Sequence, residues 1–294
     1  MASTSTPENE AQAGPFQSNL APEAYTEMRK GETFLRDVFQ IYKMTFTTPA
    51  DESQQFLDIG CGTGESTRDL ILPSCEPCKR IVAVDFSPAM LKYAREKYAH
   101  EKIAYEYLDI DGDVSAFVKT HGAFQRVYSF RTLHWSRDLR GALRNIAELM
   151  LPGGECLLMF FARSLLMETF RQLSRLEPWS KYADILLGGV AETYDIMDPK
   201  EQHAYMSEAL SSAGLVPYST ELLVKPEEAP GSPGFLKRLY EVGNPMLPLL
   251  NKEEKAAFLE TLSTMLPQWH DLYCKKSGPM QRLCFIVHAR KPEY

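Results

Sequence analysis

The run Asp58-Ile59-Gly60-Cys61-Gly62-Thr63-Gly64 puts an acid just before a glycine-rich turn. Glycines at Gly60, Gly62 and Gly64 allow a tight turn and close approach of backbone to a ligand. A helix opening behind them, here Glu65 to Leu70, offers unpaired N–H groups and a positive dipole end. A dinucleotide loop is spaced G-x-G-x-x-G so that a pyrophosphate rests on the helix N-terminus, whereas this loop reads G-x-G-x-G. Asp58 would sit poorly beside phosphates and well beside a cationic amine. Spacing and charge together disfavour a nicotinamide dinucleotide.

Two further acids follow at the places where such a fold delivers them. Asp85 closes the next apolar run, roughly twenty residues beyond the loop, where a carboxylate reaches the two hydroxyls of a ribose. Asp109 ends the run after that. It can accept from an adenine amino group, with Ile110 on one face of the ring and Phe86 and Met90 on the other. An Asp at a strand end is also a common helix N-cap, so each acid alone is weak. In chain order, the three match an amine, a ribose and an adenine.

These residues need a frame that brings strand ends to one edge. Short apolar runs at 55–59, 81–85, 103–108, 124–130 and 155–161 alternate with helical segments, which predicts a doubly wound, Rossmann-like α/β sheet. Ser87-Pro88 reads as an N-cap and first-turn proline. Leu139, Ala142, Leu143, Ile146, Leu149 and Met150 recur at helical spacing on a helix predicted over 139–151, stopped by Pro152-Gly153-Gly154. After the fifth strand the alternation breaks. Helical insertions at about 163–200 and 227–270 are expected to cap the sheet's carboxyl edge, the second broken at Pro245, Pro248 and Pro267. A helix over 201–213 stopping at Gly214, a strand over 215–224, a loop over 225–233 and a last strand over 281–289 complete the pattern.

The 294 residues fit one domain over 21–294, with its core at 55–161, behind a polar tail over 1–20 that reads as disordered. A net charge of -7 and a pI near 5.5 disfavour a nucleic-acid partner. No apolar run is long enough to span a membrane, and the tail lacks the pattern of a secretory signal. Six cysteines suit a reducing cytoplasm better than a disulfide scaffold. Cys75 and Cys78 form a lone C-x-x-C with no second ligand pair, so no metal is expected. Oligomeric state is not legible.

Over 55–161 the sequence resembles the class I S-adenosylmethionine-dependent methyltransferases, whose loop is commonly acid-x-G-x-G-x-G. The resemblance implies a sheet of seven strands with the last antiparallel, S-adenosylmethionine as cofactor, and a cofactor set that includes Cys61, Ser129 and Phe130. More narrowly, Val84-Asp85-Phe86-Ser87-Pro88-Ala89-Met90, Leu108-Asp109-Ile110-Asp111-Gly112-Asp113 and Ser129-Phe130-Arg131-Thr132-Leu133-His134-Trp135 look like the arthropod juvenile hormone acid methyltransferases. Arg137-Asp138 and Asn145-Ile146 fit as well. That family esterifies the carboxylate of farnesoic acid or a juvenile hormone acid, and the resemblance implies a small apolar acid here. The role of contacting the bound acid carries over onto Trp135.

One position departs from the family. Its N-terminal Tyr is followed seven residues later by a Gln that holds the acid, and counting from Tyr25 lands on Glu32. An ionised Glu32 would repel a carboxylate by about a few kcal/mol in a dry pocket. A carboxylate acceptor is ionised at neutral pH and needs no base, so positioning carries the rate. An alcohol or phenol acceptor would need one, and His134 is the candidate. A different small molecule, a protein side chain, or a binding protein without catalysis are the alternative readings.

Overall fold

A computed structural model describes residues 21–30, 33–226, 234, 243–277 and 281–293. The tail over 1–20, Glu32 and part of the second insertion, including Phe235, Leu236, Leu239 and Tyr240, lie outside these residues. Seven strands form one sheet in the order β3-β2-β1-β4-β5-β7-β6. They are β1 (Gln55–Ile59), β2 (Arg80–Asp85), β3 (Ile103–Tyr107), β4 (Phe124–Phe130), β5 (Met150–Arg163), β6 (Val216–Pro226) and β7 (Gln281–Arg290). β7 runs antiparallel to both β5 and β6, and the rest are parallel.

The inner strands are apolar because both faces are covered. Leu57, Ile59, Val82 and Val84 meet α6 (Leu139–Leu149) in one cluster, while Phe56, Ile81, Tyr128 and Leu157 meet α2 (Phe34–Tyr42) in another. Phe39 of α2 stands edge-on to Tyr128 and Phe130. β1 lies between β2 and β4, so the chain order reverses beside it. That reversal opens a crevice at the strands' carboxyl ends, where ligands of such folds bind.

Helix starts follow the sequence cues. Ser87 Oγ accepts from Met90 N at 3.4 Å ahead of α4 (Pro88–Lys97), and Asp138 Oδ1 accepts from Gly141 N at 2.8 Å ahead of α6. α6 ends at Leu149, two residues earlier than expected, because Met150 already pairs with Phe124 as the first residue of β5. Pro152-Gly153-Gly154 is therefore a bend inside the strand, held by Gly153 N donating to Lys291 O at 2.9 Å. The helix after the glycine loop widens to a π turn over Thr67–Ile71 before α3 (Leu72–Cys75). There Leu72 N reaches back to Thr67 O, and Pro73 has no N–H with which to bond the preceding turn.

Both insertions leave the sheet at its carboxyl edge, after Arg163 and after Pro226, and the second rejoins it there at Gln281, whereas the first is followed by a return to the amino edge, where Val216 pairs with Arg290. The first holds α7 (Leu165–Leu173) and α8 (Ala183–Leu187), and α9 (Pro199–Ser212) then returns to pack on α6. The second ends in α10 (Lys252–Ser277), which runs past His270 and straight through Pro267. A helical proline costs about 3 kcal/mol. Burial of Phe258, Leu262, Leu266, Trp269 and Tyr273 along one face outweighs that cost, so the break expected at Pro267 is absent. These side chains share an apolar cluster with Phe170, Trp179 and Tyr194 of the first insertion. β6 continues to Pro226, so only the later part of the loop expected over 225–233 is left, and it lies outside the described residues.

No helix among the described residues is long and apolar enough to cross a membrane. Cys75 and Cys78 are buried beneath β1 and β4, and burial pushes the Cys75 thiol up to about 12, which makes it a packing group. Ile146 is fully buried between α6 and the sheet. Ile146→Ala is expected to lower unfolding stability by roughly 2–5 kcal/mol, read from urea titration, with an unchanged denaturant slope.

Candidate functional site

The glycine loop is held from three sides. Gly60 N and Cys61 N both donate to Val84 O, at 2.7 and 2.9 Å, which folds the loop back over β2. Gly60 has φ +73°, and a Cβ there would fall within the side chain of Thr132, which arrives from the turn after β4. Gly64 has φ +82°, and its missing Cβ leaves room for the Tyr105 hydroxyl, which donates to Tyr98 O at 2.9 Å. Beside the loop lies α1 (Pro22–Arg29), where a Cβ on Gly62 would lie 3.8 Å from the Tyr25 ring. Arg29 donates to Tyr25 Oη at 3.0 Å and to Ser66 Oγ at 3.4 Å, tying α1 to the helix behind the loop.

Asp58 and Asp85 meet at this point. Asp58 is 3% exposed and accepts from Thr67 Oγ1 at 2.6 Å. Asp85 is 7% exposed and accepts from Gly62 N and Ser87 N, both at 2.9 Å. Neither has an ion-pair partner among the described residues. Burial, reinforced by the charge of Asp85 and opposed by the Thr67 hydroxyl, pushes Asp58 up to about 7. Burial pushes Asp85 up to about 6, against hydrogen bonds from the Ser87, Gly62 and Phe86 backbone. Two desolvated carboxylates without a counter-ion form a site for a cation and a poor one for pyrophosphate.

Asp109 is half-buried, and its Oδ1 accepts from Asp111 N at 3.0 Å in an Asx turn. Ile110 is buried beside it, Met90 is buried in α4, and Phe86 is half-buried. Cys61 turns its thiol into a small cluster with Ala83, Leu91, Ala94 and Tyr105, leaving its backbone to the loop. Ser129 is fully buried and donates to Ile59 O at 3.1 Å, and Phe130 packs on Phe39. The side chains of Ser129 and Phe130 thus serve packing between β1, β4 and α2.

Residues that the sequence reading gave no role complete the site. Asn145 Nδ2 donates to Ile110 O at 2.7 Å and Gly112 O at 2.8 Å, which shapes the loop after β3. Asp111 accepts from Ser136 Oγ at 2.5 Å and Arg137 N at 2.9 Å, joining that loop to the turn after β4. Their only signal was membership of the motifs quoted above. Arg131, at φ +60°, starts that turn in a conformation rare for a side-chain-bearing residue.

The turn itself is a short 3-10 helix, Leu133–Trp135. His134 is 7% exposed, its ring 5.1 Å from Trp135 and 5.0 Å from Phe161, and its Nδ1 is buried without a hydrogen-bond partner among the described residues. Burial, helped by the charge of Arg282, lowers its pKa to about 3, so the imidazole is neutral. Trp135 is half-buried, packs 6.4 Å from Phe170, and borders the apolar cluster of the insertions. Gly189 permits this packing, since a Cβ there would lie 2.8 Å from Phe170 and 3.1 Å from Trp135.

Residues 56–154 match the family described as methyltransferase domain. The chain is 34% identical over 146 residues to juvenile hormone acid O-methyltransferase of Bombyx mori, covering 50% of this chain and 52% of that protein. It is 29% identical over 208 residues to the enzyme of that name from Drosophila melanogaster, covering 70% and 68%. The chain thus spans about half the length of the Bombyx relative and two thirds of the Drosophila one. In fold it is similar to phosphoethanolamine N-methyltransferase 2 of Haemonchus contortus, solved with S-adenosylhomocysteine, with a TM-score of 0.52 and 15% identity over 96% of this chain and 59% of that one.

The donor set fits S-adenosylmethionine, whose ammonium would neutralise the buried acid pair. An aspartate titrates near 4 in an unfolded chain, so the folded protein holds extra protons between about pH 4 and 7. The pair's contribution to stability is lost as pH rises through that window. Asp58→Asn is expected to raise the melting temperature of the unliganded protein at pH 8 by several degrees and to weaken S-adenosylmethionine binding at least about tenfold. Wild-type affinity, read by calorimetry, is expected to increase from pH 6 to 8 as Asp58 ionises, and less so in the variant. Affinity independent of pH would contradict this assignment.

Proposed function

We propose that this chain, which carries a methyltransferase domain of the class I, S-adenosylmethionine-dependent type, esterifies the carboxylate of a small apolar acid of the farnesoic or juvenile hormone acid kind. The products would be a methyl ester and S-adenosylhomocysteine. The observation that carries this reading is the neutral, non-basic His134 at the acceptor turn. A group with a pKa of about 3 cannot hold the proton of an alcohol or phenol at neutral pH. A carboxylic acid, with a pKa of about 4, arrives already ionised at neutral pH and asks for no base. The name shared by the two insect relatives supports the same acceptor class.

S-adenosylmethionine supplies an electrophilic methyl group. The chain's part is to position and to exclude water. Asp58 and Asp85 hold the cationic and hydroxylated portions at the switch point, and the loop after β3 flanks the adenine with Ile110. Trp135, backed by Phe170, walls the acceptor side at the same strand edge. The apolar cluster shared by the two insertions lies beyond Trp135 and Phe161, on the side that a hydrocarbon tail would occupy.

Incubation with labelled S-adenosylmethionine and a panel of isoprenoid acids and their alcohols tests the reading. Esters from acids and no ethers from alcohols are expected, and no ester from any acid despite tight cofactor binding would refute the acceptor class. Trp135→Ala is expected to lower kcat/KM for the acid roughly 10- to 100-fold, with cofactor affinity unchanged.

A further inference from the structure

Resting on the carboxyl-methylation reading above, we propose that Gly189 is a specificity-determining residue for the acceptor. Having no side chain, it sets how far Trp135 stands back, and so how wide an acid the chain admits beside the reacting carboxylate. Gly189 is buried in the turn that follows α8 in the first insertion. A Cβ on it would lie 2.8 Å from two ring carbons of Phe170 and 3.1 Å from Cζ3 of Trp135. Carbon atoms rest at about 3.5 to 4.0 Å from one another, so an alanine here forces a neighbour to move.

The contacts decide which neighbour moves. The backbone around Gly189 is held, with Gly188 N donating to Asp184 O, Gly189 N to Leu186 O and Val190 N to Leu187 O, at 3.1, 3.1 and 3.0 Å. Just beyond it, Glu192 accepts from Leu139 N at 2.7 Å and Thr193 Oγ1 donates to Ala162 O at 3.0 Å. Those bonds tie the segment to the start of α6, which follows the turn bearing Trp135, and to β5, which lies beside that turn's parent strand β4. Gly189 therefore cannot retreat. Phe170 is fully buried among Leu165, Leu173, Trp179 and Leu186, where close packing leaves a ring little room. Of the three residues, Trp135 is the one that is half-exposed. Its indole is the part that yields, away from Gly189 and Phe170 and into the crevice.

An acceptor meets that shift close to its carboxylate. Trp135 walls the place where the first carbons of the acid chain lie, so an indole displaced inward narrows that slot and leaves the rest of the tail untouched. Farnesoic acid carries a methyl branch two carbons from its carboxyl carbon, and a closer indole meets that group first. One methylene of misfit in an apolar pocket changes kcat/KM by roughly 10- to 200-fold. The bare Gly189 is thus what leaves room for a branched acid.

The test compares kcat/KM of the full chain, with S-adenosylmethionine, for farnesoic acid and for the analogue lacking that one methyl branch. Gly189→Ala is expected to lower the value for farnesoic acid at least about tenfold and that for the desmethyl analogue by no more than about threefold, with S-adenosylhomocysteine affinity within about twofold of wild type. Phe170→Leu, which gives Trp135 more room, is expected to shift the selectivity about threefold the other way. It carries the test if Gly189→Ala no longer binds S-adenosylhomocysteine. The double variant is expected to return the selectivity toward the wild-type value, because leucine vacates the space that the new Cβ takes, a coupling that general loss of stability does not produce. Equal losses for both acids in Gly189→Ala, an unchanged selectivity in Phe170→Leu, or a wild-type chain that esterifies farnesoic acid and refuses the thinner analogue would overturn the role of Gly189 while the acceptor reading stands. A wild-type chain that esterifies neither acid would instead defeat the acceptor reading itself, and this assignment with it.

Discussion

The carboxylate of Asp85 binds the backbone N–H of Gly62 with one oxygen and that of Ser87 with the other, and the carboxyl edge is arranged around that bridge. Buried charge is unfavourable, and so is an unpaired backbone donor; the bridge settles part of each problem with the other. It also locks the glycine loop to the start of α4, so the two elements that would hold the cofactor move as one. Asp58 sits behind the loop, where its one donor among the described residues is the side-chain hydroxyl of Thr67, and it carries the larger displacement in acidity. The site is in this sense prepared for a cation. Charge that the fold leaves uncompensated is charge a ligand can neutralise.

The same economy of contacts couples the two ends of the crevice. Thr132 occupies the space that Gly60 leaves open, Asp111 reaches across to Ser136 and Arg137, and Asn145 clasps the loop after β3 from α6. The first two link a loop on the cofactor side to the turn that bears His134 and Trp135, and the third fixes the loop after β3 on α6. A shift in one loop is therefore felt at the other, because packed contacts of this kind have few alternative arrangements. The opposite edge of the sheet is tied differently. There Glu155, bonded to Thr47, Thr48 and His288, pins the segment leading into β1.

Burial separates the two neighbouring residues at the turn after β4. His134 is stripped of basicity by its surroundings, while Trp135 stays half-exposed toward the insertions. A histidine next to a candidate reaction centre invites assignment as a base, and its environment here directs it to hydrogen bonding instead. The insertions complete the contrast. Their aromatic and aliphatic side chains form one cluster, so the side of the crevice beyond Trp135 is apolar while the side of the glycine loop is acidic.

The sequence by itself determined the α/β alternation, the glycine loop and the order of Asp58, Asp85 and Asp109, because those depend on local period and on which residue types tolerate a tight turn. It also carried the cap at Ser87. Only the tertiary structure decided which side chains face the crevice. Ser129 and Phe130 turned into packing, since strand alternation and neighbours in β1 and α2 set their direction. Pro267 failed to break α10 because burial of one helix face outweighed a lost hydrogen bond. Thr132, Asn145 and Arg282 stayed unread for the same reason: each acts on a residue distant in the chain, and no local pattern records what long-range packing brings beside it.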